Sequence, residues 1–177
     1  MAKVRVATAW LGGCSGCHMS FLDLDEKLID LAALIEIVWG PLVDPKEYPK
    51  DVDVALIEGA VILEENRELL HEIRKNSKLV LALGDCAITG NVPGMRNQFG
   101  RESVLEYAYL APTVVQAQIP SQIVSPLVKR VLPIHKEVKV DAFIPGCPPS
   151  ADRIYYALSE LLAGRLPKLE GALGTFG

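Results

Sequence analysis

The run Lys3-Val4-Arg5-Val6-Ala7-Thr8-Ala9-Trp10-Leu11-Gly12-Gly13-Cys14-Ser15-Gly16-Cys17 decides how the chain is read. Lys3 to Thr8 alternates Val4 and Val6 with other residues, the period-two pattern of a strand, and the second half dissolves into glycines. A strand therefore opens the chain and delivers two cysteines into a Gly-rich loop. Working outward, Phe21, Leu22, Leu24, Leu28, Ile29 and Leu31 recur at helical spacing, with Asp23, Asp25, Glu26 and Lys27 free to face water. That spacing predicts one amphipathic helix beginning close to Cys17. Residues 34–39 and 52–57 are short apolar runs, closed by Gly40-Pro41 and by Gly59, and they suit strands buried on both faces.

The alternation continues. Glu64 to Asn76 places Leu69, Leu70 and Ile73 on one side of a helix, and Lys78 to Leu83 is a fourth buried strand closed by Gly84-Asp85. From Asn91 to Pro133 the pattern is interrupted by Pro93, Pro112, Pro120, Pro126 and Pro133, and only Glu102 to Tyr109 reads as helix. Val138 to Ile144 returns as a fifth strand. Gly146-Cys147-Pro148-Pro149 then precedes Ser150, a good N-cap, and a helix carrying Ile154, Tyr155, Leu158, Leu161 and Leu162 up to Gly164. The fold class expected is α/β, a flavodoxin-like doubly wound parallel sheet in three layers. Ligands of such sheets sit beyond the carboxyl ends of the strands, where strand order reverses.

With 177 residues and 50% hydrophobic composition, the chain is expected to form a single domain over residues 1–177, with a core that needs no disulfide staples. A formal charge of -4 and the lack of a Lys/Arg run exclude a nucleic-acid partner at this level. The N-terminus enters the strand pattern directly, with neither an export segment nor a twin-arginine pair, so a cytoplasmic location is expected. No apolar stretch approaches the roughly 18 residues of a membrane span, so any membrane attachment is expected to come through partners.

Four cysteines in a reducing compartment are poor disulfide candidates. Cys14 and Cys17 follow the first strand, Cys86 the fourth and Cys147 the fifth, so all four are expected in loops at one edge of the sheet. Four thiolates can hold a [4Fe-4S] cluster, one zinc or one iron ion. One short pair plus two distant ligands, in Gly- and Pro-rich surroundings, favours the cluster over a structural zinc, which prefers two short pairs. Gly12, Gly13, Gly16, Gly84 and Gly146 allow close backbone approach, and helices starting after Cys17 and Cys147 would turn their positive ends toward an anionic cluster.

Three ordered motifs carry a resemblance. Cys14-Ser15-Gly16-Cys17, Gly84-Asp85-Cys86-Ala87 with Gly90 and Pro93, and Pro145-Gly146-Cys147-Pro148-Pro149 resemble the cluster-binding motifs of nickel–iron hydrogenase small subunits. Gly13 to Asp23 is similar to the small subunits of cytoplasmic, bidirectional, NAD-reducing members. The resemblance implies one proximal [4Fe-4S] cluster on Cys14, Cys17, Cys86 and Cys147, and an electron relay with no catalytic residues of its own. It also implies partners: a nickel–iron large subunit, and diaphorase subunits carrying FMN, iron–sulfur clusters and an NAD site. The cluster subunit of a complex I-like quinone reductase is the alternative, although that relative presents adjacent cysteines in its first motif. An FMN-binding carrier is a third reading, weakened because the loop after the first strand lacks a Ser/Thr-rich phosphate cradle.

Other residues have plainer readings. His18 is read as a polar loop residue or a donor behind the ligands, because four thiolates already complete the site. Glu58 and Asp85 are read either as lining the cluster cavity or helping to accept protons, or as capping and bonding the loops. Trp39, Tyr155 and Tyr156 are read as core or interface aromatics.

Overall fold

The computed structural model describes residues 2–176. Its first half runs β1 (Val4–Trp10), α1 (Gly16–Leu22), α2 (Lys27–Leu34), β2 (Ile35–Trp39), β3 (Val52–Glu58), β4 (Val61–Leu63) and α3 (Glu64–Asn76). The second half runs β5 (Ser77–Leu83), α4 (Asp85–Thr89), α5 (Asn91–Gly94), α6 (Arg101–Tyr109), β6 (Leu127–Leu132), β7 (Ala142–Ile144) and α7 (Ala151–Leu162). Five parallel strands form the main sheet in the order β2-β1-β3-β5-β7. This is the flavodoxin-like order expected from the sequence, and it reverses between β1 and β3.

The strand patterns explain their places. In β3 every residue except Asp53 is buried, which suits a central strand covered on both sides. Alternate residues feed two cores. Ala7, Ala9, Ala55, Ile57, Val80 and Ala82 pack with Leu70 and Ile73 of α3, whereas Val6, Val54, Leu56, Leu81 and Leu83 pack with Phe21, Leu24, Leu31, Ile154 and Leu158. Helix α3 carries Glu64 and Glu65 in its first turn and Arg74 and Lys75 in its last, matching the helix dipole at both ends.

The register aligns the carboxyl ends. Trp10 pairs with Glu58, Glu58 with Leu83, and Leu83 with Ile144, so four strands end on one row. The cysteine segments leave the sheet just beyond that row.

Three expectations need correction. The helix read from Phe21 to Leu31 is two helices, because residues 23–26 turn and Asp25 adopts a left-handed φ of 49. The strand read from Val138 to Ile144 pairs only over Ala142–Ile144; its first part is held by the turn at Ile134–Lys136, where the Val138 amide donates to the Ile134 carbonyl. The Pro-rich segment hides a strand: β6 pairs antiparallel with β4 in a separate two-stranded sheet. The free edge of β6 is covered by side chains. Asn97 both donates to and accepts from Val131, while Arg96 and Arg101 donate to the Val128 and Leu127 carbonyls. Among the described residues, no helix is long and apolar enough to cross a membrane.

The start of the short edge strand depends on Asp141. Its carboxylate accepts from the Val80 amide at 2.9 Å and from Arg74 at 2.6 Å, while Arg74 also donates to the Ser77 and Lys78 carbonyls. Burial alone would raise this carboxyl, but the Val80 amide and Arg74 together hold it below its ordinary 3.8. Asp141→Asn is therefore expected to cost about 1.5–3 kcal/mol at pH 7, read by denaturant unfolding. A depressed carboxyl stabilises the fold above its unfolded value and loses that contribution as pH falls through the folded value. The difference between the two proteins should accordingly shrink below pH 3.8.

Candidate metal centre

The four cysteines converge beyond the carboxyl ends of β1, β5 and β7. Cys14 lies in the loop after β1, Cys147 in the loop after β7, and both are exposed. Cys17 and Cys86 sit in the first turns of α1 and α4 rather than in loops; Cys17 is buried and Cys86 half-buried. Burial pushes the Cys17 thiol far up, and the charges of Glu58, Cys86, Cys14 and Cys147 push it further. Cys86 is raised by burial first and then by Cys147 and Cys14. Cys17 feels all three of the other cysteines and Cys86 feels two of them, as a single site requires.

Neighbouring segments fix the cysteines by backbone bonds. The Leu11 amide donates to the Glu58 carbonyl at 2.8 Å, and Gly12 and Ala60 exchange bonds of 2.9 and 2.8 Å. This clips the Cys14 loop to the end of β3. The amides of Gly84 and Asp85 donate to the carbonyls of Ile144 and Gly146, and the Gly146 amide returns a 2.6 Å bond to the buried Asp85 carboxylate. Ser20 on α1 donates to the Pro149 carbonyl at 2.5 Å, tying the Cys17 helix to the Cys147 loop.

Glu58 is the buried carboxyl group beneath the site. It is 1% exposed, accepts from the Cys17 amide at 3.4 Å and the His18 amide at 3.0 Å, and shares a hydrogen bond with His18 Nδ1. These amides are orphan donors at the start of α1, whose N-cap Ser15 makes no side-chain bond, so Glu58 supplies the missing cap from another strand. Of the readings offered for Glu58 and Asp85, the geometry selects capping and loop bonding. His18 is a buried residue of α1 rather than a loop residue, and its Nε2 has no hydrogen-bond partner among the described residues. Trp39 packs edge-on against Tyr48 in the core, and Tyr155 packs among core residues with Lys27 5.0 Å over its ring.

Two of the four sulfurs accept an N–H: the Gly16 amide lies 3.4 Å from Cys14 Sγ, and Asn91 Nδ2 lies 3.4 Å from Cys147 Sγ. Ser20 and Asn91 had no signal in the sequence, because their partners are 129 and 56 residues away. Donors on sulfur suit thiolates that hold a metal. Without a cation, Cys17 and Cys86, shielded from water, favour the neutral form. The residues therefore fit an iron–sulfur group bound as thiolates.

Known proteins share this arrangement of chain. The profile of the NADH ubiquinone oxidoreductase, 20 Kd subunit, family matches residues 14–161. The chain belongs to that family. Among similar proteins, a component of the vhu F420-non-reducing hydrogenase of Methanocaldococcus jannaschii is 45% identical over 94% of this chain. The delta chain of the NAD-reducing hydrogenase HoxS of Cupriavidus necator is 40% identical over 98% of this chain and 86% of its own length. A crystal structure of an NAD+-reducing [NiFe]-hydrogenase in the H2-reduced state contains a chain with a TM-score of 0.95 and 39% identity, covering 99% of this chain and 100% of that one. The resemblance to hydrogenase small subunits read from three cysteine motifs is borne out. Against the F420-non-reducing hydrogenase relatives of Methanocaldococcus, Methanothermobacter and Methanococcus, the chain spans 54% to 59% of their length.

Gly84 tests the packing of the site. Its φ is +82, and a Cβ there would meet Cys17 Sγ at 2.2 Å, whereas a Cβ on Gly94 meets nothing within 4 Å. Gly84→Ala is expected to lower the melting temperature, at a cost above about 1 kcal/mol, and Gly94→Ala to be neutral or slightly stabilising. Equal melting temperatures for the two variants would contradict the close approach at Gly84.

Proposed function

We propose that the chain is the electron-relay subunit of an NAD-reducing nickel–iron hydrogenase, acting as one domain that holds a [4Fe-4S] cluster on Cys14, Cys17, Cys86 and Cys147. The observation that carries this reading is the convergence of four thiols from three parallel strand ends, two of them bonded to N–H donors. Among the described residues, no three Cys, His, Asp or Glu side chains close to single-ion spacing.

When bound, such a cluster exchanges single electrons while its ligands stay in place. The chain supplies the rest. Glu58 holds the Cys17 turn, Asp85 joins the Cys86 turn to Gly146, and Ser20 joins α1 to Pro149. Four cysteine ligands leave no open position for substrate, so hydrogen activation belongs to a nickel-bearing large subunit, and NAD reduction to diaphorase subunits carrying FMN, iron–sulfur clusters and the NAD site. Exposed Val92, Met95 and Phe99 follow Cys86, while exposed Trp10 and Met19 flank Cys14 and Cys17. These apolar rims beside the cysteines support docking of such partners. The reading places the complex in the cytoplasm.

Anaerobically purified protein is expected to contain about four iron and four sulfide per chain, with little zinc. Stoichiometric zinc without iron would overturn the ligand chemistry. Cys86→Ser and Cys147→Ser should each lose or degrade the cluster. In a complex reconstituted with Cys147→Ser and shown to assemble by gel filtration, hydrogen-dependent NAD reduction should fall to background. A normal rate in that cluster-free complex would show that electrons take another route.

A further inference from the structure

We infer that Asn91 is a positioning residue that donates a hydrogen bond to the Cys147 thiolate and thereby raises the reduction potential of the cluster. The inference rests on the cluster reading above. Its geometric basis is the 3.4 Å approach of Asn91 Nδ2 to Cys147 Sγ, between residues 56 positions apart. An N–H donor stabilises negative charge on a ligand sulfur. A reduced cluster carries one more negative charge than an oxidised one, so the donor favours the reduced form.

Asn91 is held for this contact. Its φ of 31 and the φ of 88 at Gly90 turn the chain sharply out of α4. Asn is one of the few non-glycine residues that tolerates this region. The Asn91 amide donates to Thr89 Oγ1 at 3.2 Å, and that hydroxyl donates to the Asp85 carbonyl at 2.9 Å. The Asp85 carboxylate in turn accepts from the Gly146 amide, next to Cys147. A closed circuit therefore fixes where the Asn91 side chain meets the sulfur.

The test uses the cluster-loaded protein. Asn91→Gly removes the donor while tolerating the positive φ, and Asn91→Asp keeps the shape but replaces the donor with an acceptor. Iron and sulfide per chain are measured first, then the midpoint potential by redox titration followed by electron paramagnetic resonance. Both variants are expected to keep the cluster and shift to more negative potential, Asn91→Asp further than Asn91→Gly. Unchanged potentials at full cluster content overturn the assignment while leaving the cluster reading intact. A measurement on the unsubstituted protein, with 15N confined to asparagine side-chain amides, provides the second arm. Pulsed resonance of the reduced cluster should show a nitrogen coupling that Asn91→Gly abolishes, and absence of that coupling overturns the assignment even where a variant loses its cluster. Unsubstituted protein without iron and sulfide overturns the cluster reading itself.

Discussion

Desolvation of thiols at the carboxyl edge of the sheet is the constraint around which the rest of the structure is arranged. A thiolate beside a buried carboxylate and three other sulfurs is unfavourable in an apolar surrounding, and burial is the largest influence on both Cys17 and Cys86. The fold nevertheless brings these groups together and surrounds them with N–H donors. That combination suits a cationic iron core, which supplies the compensating charge that the protein withholds. Apolar packing of α1 and α7 against the sheet therefore does more than fill a core. It sets the low-dielectric wall against which the metal group is favoured.

Holding four sulfurs from three strands in register is a positional problem, and it is solved mostly by backbone and buried side chains. The row Trp10, Glu58, Leu83 and Ile144 fixes where the strands end. Beyond it, three short links join the segments in pairs: Gly12 with Ala60, Asp85 with Gly146, and Ser20 with Pro149. Moving one segment strains the other two, so the site is expected to respond as a unit to substitution. Gly84 marks how little slack remains, because its missing side chain is the space in which Cys17 Sγ lies.

Legibility in the sequence followed physical range. Buried apolar runs at 52–57 and 78–83 announced central parallel strands, because strands covered on both faces have no polar side to alternate with. The cysteines at strand ends announced their convergence through topology alone. The hidden β6 strand was masked because its neighbours are Pro126 and Pro133 and its partner β4 is three residues long. Its outer edge is satisfied by Asn97, Arg96 and Arg101, contacts that no periodicity records. The break between α1 and α2 was similarly concealed, since Leu24 is buried and keeps the apolar spacing intact through a turn. Glu58 was visible as a residue at a strand end, but its choice between lining a cavity and capping α1 depended on distances.

The exposure of the four cysteines is graded, and the gradient constrains how an electron could leave. Cys17 faces the core, Cys86 is half-buried, and Cys14 and Cys147 are exposed, so the open side of the site lies over the last two. Iron–sulfur potentials respond to solvent access as well as to hydrogen bonds. In the proposed assembly, a partner seated on the apolar rims near Cys14 and after Cys86 covers that open side and removes water from it. Docking then shortens the path to the next redox centre and changes the electrostatic surroundings of the cluster in the same event. Hydrogen bonds internal to the chain, such as that to Cys147, remain in both situations. On the proposed reading they set a base potential, and partner contact displaces the water that modifies it.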